Sequence, residues 1–156
     1  MSKHIKDIMN EVTDLNLKIK QILYHCDYEF ADDLSCLEYD NTDAEDLLLL
    51  DELRQIMSKL DDVSHTLNYF DRPVKAEGIL HKNKNGRYEF NGIELSSGCG
   101  LEYLTTDDLH SRYDEASGDY INVPYWCSSR IEHNGIDYYI VGAIDLKLEG
   151  LKVRIR

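Results

Sequence analysis

Long apolar runs are missing from this chain of 156 residues, and no stretch approaches the ~18 residues needed to span a bilayer. The opening Met-Ser-Lys-His-Ile-Lys-Asp also lacks the apolar core and small-residue cleavage site of a secretory signal. No membrane partner is expected, and the expected location is cytoplasmic. The four cysteines, Cys26, Cys36, Cys99 and Cys127, form no C-x-x-C pair, and no Cys or His spacing recurs as zinc ligation requires. They read as small, partly buried thiols of a reducing compartment, so neither metal nor cofactor is expected. Neither G-x-x-x-x-G-K-[ST] nor G-x-G-x-x-G occurs, and no nucleotide fold is indicated.

Bases are scarce where acids are dense. From Asp27 to Asp62 thirteen Asp and Glu stand against Arg54 and Lys59, a net of −11 in a chain of −13. Such a surface repels nucleic acid and suits a partner that is itself basic. The plainer account is that acidic surfaces keep proteins soluble. An apolar rhythm runs through the stretch, so it reads as a folded face and not a disordered tail.

Ile5, Ile8, Val12, Leu15, Ile19, Ile22 and Cys26 follow the three–four spacing of heptad a and d positions and predict a helix over 3–26. Nothing before Asp40 breaks it strongly, so it is expected to run on toward Leu37. Asp40-Asn41-Thr42 reads as a turn, with Thr42 and Glu45 as a capping box. Leu49, Leu53, Ile56, Leu60, Val63, Leu67 and Phe70 repeat the spacing until Pro73. The expectation is an antiparallel hairpin over 1–72 whose narrow core favours packing on the rest of the chain or a homodimer through the first helix.

From Gly78 the grammar changes to β. Asn-Gly recurs at 85–86, 91–92 and 134–135, between short segments of β-branched and aromatic residues. Leu151, Val153 and Ile155 alternate with Lys152, Arg154 and Arg156, predicting one buried face and one basic, wet face. The fold class is α+β, an N-terminal helical hairpin followed over 78–156 by a small SH3-like antiparallel β-barrel. Thr106–Asp119 reads as a long, polar, mobile loop.

The segments Gly86-Arg87-Tyr88-Glu89-Phe90, Gly92-Ile93-Glu94-Leu95-Ser96-Ser97-Gly98, Arg130-Ile131-Glu132-His133 with Tyr138-Tyr139, and the closing Leu151-Lys152-Val153-Arg154-Ile155-Arg156 carry a likeness. Through them the second half resembles an uncharacterised domain family of plasmids, conjugative elements and prophages of Gram-positive bacteria. The resemblance implies a mobile-element setting, where small acidic proteins often inhibit host defence, anti-CRISPR proteins among them. It brings no catalytic residues.

Cys99 in Ser97-Gly98-Cys99-Gly100, with His110 or His133, is the one imaginable nucleophile, and a structural turn cysteine is the better account. The expected function is a non-catalytic inhibitor. Asp32, Asp33, Glu38, Asp40, Asp43, Glu45, Asp46, Asp51 and Glu52 would imitate phosphates and engage a basic nucleic-acid-binding protein, foremost a CRISPR effector nuclease. The competing reading is a protein-binding adaptor, in which Tyr113, Tyr120, Tyr125 and Trp126 line a peptide groove and the helices dimerise.

Overall fold

The computed structural model describes residues 2, 4–28, 34–106 and 109–156. The chain divides into two compact units, Met1–Arg72 and Pro73–Arg156. No helix among the described residues is long and apolar enough to cross a membrane.

The first unit is a hairpin of α1 (Ile5–His25) and α2 (Ala44–Asp71). Helix α1 stops earlier than the spacing predicts. Asp27 takes a left-handed φ of 47°, the Tyr28 N–H donates to the Leu23 carbonyl, and the Asp27 N–H donates to that of Tyr24. This paired closure is a Schellman motif, here with Asp in the position that Gly usually takes. Residues 34–37 are not helical.

Helix α2 is capped one residue later than predicted. Asp43, not Thr42, is the N-cap, its Oδ1 accepting from the Glu45 N–H at 2.8 Å. The Thr42 hydroxyl instead donates to Asp40 Oδ1 at 2.7 Å, and the Glu45 N–H goes to Asp43. Asp46 Oδ2 reaches back to the Asp40 N–H at 2.8 Å, satisfying the turn that feeds the helix.

The seam between the helices is also rotated from the predicted stripe. Leu23, Leu34, Leu50 and Met57 form its core, with Ile19, Leu53 and Leu60 against them. Asn16, nearly fully buried, donates from Nδ2 to Asn68 Oδ1 at 3.0 Å across the seam. A polar pair at one seam position fixes register at some cost in stability. The apolar arc of each helix is wider than one neighbour can cover. Ile8, Leu15 and Ile22 on α1, and Leu49, Ile56, Val63 and Phe70 on α2, therefore stay 36–58% exposed.

The second unit is antiparallel β. Its main sheet orders β1 (Ala76–Ile79), β10 (Lys152–Ile155), β5 (Gly100–Thr105), β8 (Tyr125–His133) and β9 (Tyr138–Ile140) side by side. A three-stranded ribbon of β2 (His81–Lys82), β3 (Tyr88–Phe90) and β4 (Ile93–Glu94) completes the core. Leu80, Phe90, Leu101, Ile131, Ile140 and Val153 are its most buried apolar side chains. The expected closed barrel does not form among the described residues, because β1 and β9 are left as open edges of the main sheet.

Turn chemistry explains the ribbon. Asn91 and Gly92 both have positive φ, 49° and 75°, as a two-residue primed turn requires. Only this one of the three Asn-Gly pairs takes that form. At 134–137 the loop is four residues long, with Asn134 Oδ1 accepting from the N–H groups of Ile136 and Asp137.

The predicted mobile loop is partly ordered into a hairpin arm. Strands β6 (Ser111–Asp114) and β7 (Asp119–Asn122) pair in full register as a separate two-stranded sheet between β5 and β8. Its turn is tied by Asp114 Oδ2, which accepts from the Ser117 N–H and hydroxyl, and by Gly118 at a φ of 70°.

Candidate functional site

Of the acidic residues predicted to engage a partner, Glu38, Asp40, Asp43, Glu45 and Asp46 fall at the turn and α2 entry of the hairpin, and Asp51 and Glu52 lie about two turns further along α2. Asp32 and Asp33 lie outside the described residues. Glu38, Asp40, Asp43, Glu45, Asp51 and Glu52 are exposed, and Asp46 is half-buried. No Lys or Arg occurs between Lys20 and Arg54, so Arg54 is the one base close in sequence to these acids.

Their roles divide once their hydrogen bonds are followed. Asp40, Asp43 and Asp46 build the α2 entry described above. The Thr42 hydroxyl and N–H hold Asp40 below the usual carboxylate range. Asp51 pairs with Arg54 at 3.0 Å, a surface bond over one helical turn. Glu38, Glu45 and Glu52 are the remainder, with no side-chain hydrogen bond or ion pair among the described residues. Three of the nine predicted residues are thus committed to folding and three are available to a partner.

The basic strand β10 is not the wet face that alternation predicts. Arg154 stands opposite Glu102 in the β10–β5 register, and Glu102 is only 2% exposed. Arg154 Nε bonds Glu102 Oε2, and Arg156 Nε donates to Glu102 Oε1 at 2.6 Å. The guanidinium of Arg154 also covers the Trp126 ring, 4.2 Å from its centroid, and Lys152 Nζ stands at 5.9 Å. Lys152 bonds Glu77 at 2.8 Å. The strand's cations are therefore largely neutralised on the sheet itself. Burial alone would raise the pKa of Glu102; its two guanidinium partners more than offset that and hold it below the usual range. Sequence reading missed this cluster because the partner of Arg154 lies 52 positions away and only strand register joins them.

The aromatic groove is not assembled either. Trp126 is under Arg154, and Tyr125 packs edge-on against His110 at 4.4 Å. Tyr113 and Tyr120 instead pair across the β6–β7 arm, T-shaped at 5.6 Å, and both are exposed.

Catalytic arrangements fare poorly on geometry. Cys99 Sγ lies 3.3 Å from Ser96 Oγ, while the His110 and His133 rings face Tyr125 and Tyr138. Ser97 Oγ donates to Glu132 Oε2 at 2.6 Å and accepts from the His133 N–H at 2.9 Å. That hydroxyl, together with Arg130, lowers the Glu132 pKa, which makes the carboxylate a weak base for activating Ser97. The set clamps the turn before β5 to β8. Among the described residues no group of three His, Cys, Asp or Glu is placed to hold a metal ion.

Fold and surfaces together define a small antiparallel β domain carrying an acidic helical hairpin. Residues 78–155 match the family described as Domain of unknown function (DUF5348), and the chain belongs to that family. The match spans the β unit and leaves the hairpin outside it. The comparisons with curated proteins and with solved structures return no match.

Proposed function

We propose that the protein is a non-catalytic inhibitor that places its acidic hairpin tip against the basic surface of a nucleic-acid-binding protein. The observation that supports this is the stretch without Lys or Arg from Gln21 to Leu53, in which Glu38, Glu45 and Glu52 stay exposed without side-chain partners. The charge is segregated: residues 1–72 carry seven bases against seventeen acids, and 73–156 carry ten against thirteen. A basic partner is steered toward the first unit by that asymmetry.

The mimicry is local to the tip. Helix α2 has seven acids and two bases over 28 residues. At ~1.5 Å per residue that is one net charge per about 8 Å, against one per ~1.7 Å in duplex DNA. The helix is too dilute to replace a duplex along its length, whereas the tip can occupy a few phosphate positions. A mobile-element setting, implied by the family likeness, makes a defence nuclease the first partner to try, CRISPR effectors among them.

The test is competition. Full-length protein should displace labelled target DNA from a guide-loaded CRISPR effector at about 0.05 M salt and less well at about 0.5 M, where the Debye length is short. Rim ion pairs contribute ~0.2–1 kcal/mol each, so the triple reversal Glu38→Lys, Glu45→Lys, Glu52→Lys should weaken displacement about three- to hundred-fold. Equal displacement by the triple variant would show that the acids serve solubility alone.

A second reading has its own support, the Tyr113–Tyr120 pair on the projecting β6–β7 arm. Exposed paired tyrosines offer large contact area at small entropic cost. A binding adaptor of this kind would tolerate the triple reversal and lose its partner on Tyr113→Ala with Tyr120→Ala.

A further inference from the structure

We propose that the exposed apolar face of the helical hairpin is covered by the same face of a second copy, with α1 of each chain lying over α2 of the other. This inference is independent of the inhibitor reading. Ile8, Leu15 and Ile22 recur at seven-residue steps on α1, and Ile56, Val63 and Phe70 do so on α2. In 3.6-residue helices both sets lie in the same rotational sense from the buried seam, so in an antiparallel hairpin they share one side. All six are exposed.

The two rows run side by side. Asn16 bonds Asn68 across the seam, and Ile5 and Met9 line one apolar hollow with Phe70, so the exposed rows of α1 and α2 overlap along the hairpin. A two-fold axis parallel to the helices leaves height unchanged. It therefore lays the apolar row of α1 over the apolar row of α2 in the other copy, as an isologous interface demands.

Charge selects this arrangement. Helix α1 carries three Lys and three acids, and α2 is five charges negative. The other closed arrangement, α2 on α2, would stack the two acidic helices, whereas α1 on α2 separates them. The same charge on α2 disfavours an anionic membrane surface as the occupant. A 21-residue face about 31 Å long and about 19 Å wide covers about 600 Å² per copy, or about 1,200 Å² in a pair. That sits at the lower bound for specific interfaces and fits a dimer of moderate affinity.

Sedimentation of the full chain at about 100 μM should give twice the 18.1 kDa chain mass. Leu15→Glu and Val63→Lys should each weaken association at least ten-fold with helix content retained, because both side chains are exposed in the single chain. Leu17→Glu, on the far side of α1, is the control and should leave the dimer intact. A monomeric wild type at this concentration would overturn the proposal, whether another protein or the chain's own β unit covers the face. So would dimers unaffected by the single changes, or loss of the dimer in Leu17→Glu.

Discussion

Glu102→Gln tests how the β unit carries its buried charge. The substitution keeps the side-chain shape, removes the anion, and takes from Arg154 and Arg156, at 20% and 17% side-chain exposure, the carboxylate they share. Breaking a buried pair by removing one partner costs ~3–5 kcal/mol. Because both arginines retain some water, the lower end applies, about 3 kcal/mol. At an m-value of about 1.5 kcal/mol/M that lowers the urea midpoint by about 2 M. Trp126 is the chain's one tryptophan and lies under Arg154, so its fluorescence follows this unit alone. The acid side gives a second readout. A carboxyl whose folded pKa is depressed contributes stability above its unfolded pKa, near 4.3 for Glu, and loses it as pH falls through the folded value. Wild type should therefore shed stability below pH of about 4.3, and Glu102→Gln should lack that share of the slope. A midpoint change under about 0.5 M, with the acid slope intact, would refute the reasoning.

Two further predictions concern local geometry. A Cβ at Gly78 would stand 2.9 Å from Phe90 Cδ2, so Gly78→Ala should cost about 1–3 kcal/mol by overpacking, read from the same Trp126 unfolding curve. Asp43→Ala should cost about 1 kcal/mol in a thermal melt followed by helix circular dichroism, and Thr42→Ala less, since Asp43 and not Thr42 caps α2. Equal losses at the two positions would count against that cap assignment.

Element type was legible in the sequence where a single residue pattern decides it. The three–four spacing predicts both helices, and Asn91-Gly92 predicts its turn, because both signals are local. What local pattern misses is competition for the same group. Thr42 reads as a cap until Asp43 takes the Glu45 N–H, and Asp27 gives no sign that it will accept a left-handed φ. Nor does period alone separate a buried seam from an exposed stripe. Ile8 and Leu15 fit the heptad better than Asn16 does, yet Asn16 is buried because Asn68 meets it. In the β unit alternation predicts which side chains of β10 share a face, but not that Glu102 waits opposite Arg154. That pairing depends on strand register across half the domain.

The acidic tip shows why counting charge is a poor guide to a binding surface. Asp40, Asp43 and Asp46 contribute as much to the net charge as Glu38, Glu45 and Glu52, yet their oxygens are spent on the turn before α2 and on its cap. Reversing Asp46 removes the acceptor of the Asp40 N–H and puts a cation at a helix N-terminus, where the dipole disfavours it. Loss of binding after that change would report a disturbed hairpin as readily as a lost contact. Reversal at Glu38 and Glu52 leaves every recorded hydrogen bond in place, and at Glu45 only the dipole is affected, by a few tenths of a kcal/mol. The tip therefore holds two populations of carboxylate with the same sign and different consequences. A binding experiment discriminates between steering and solubility only when it is confined to the second.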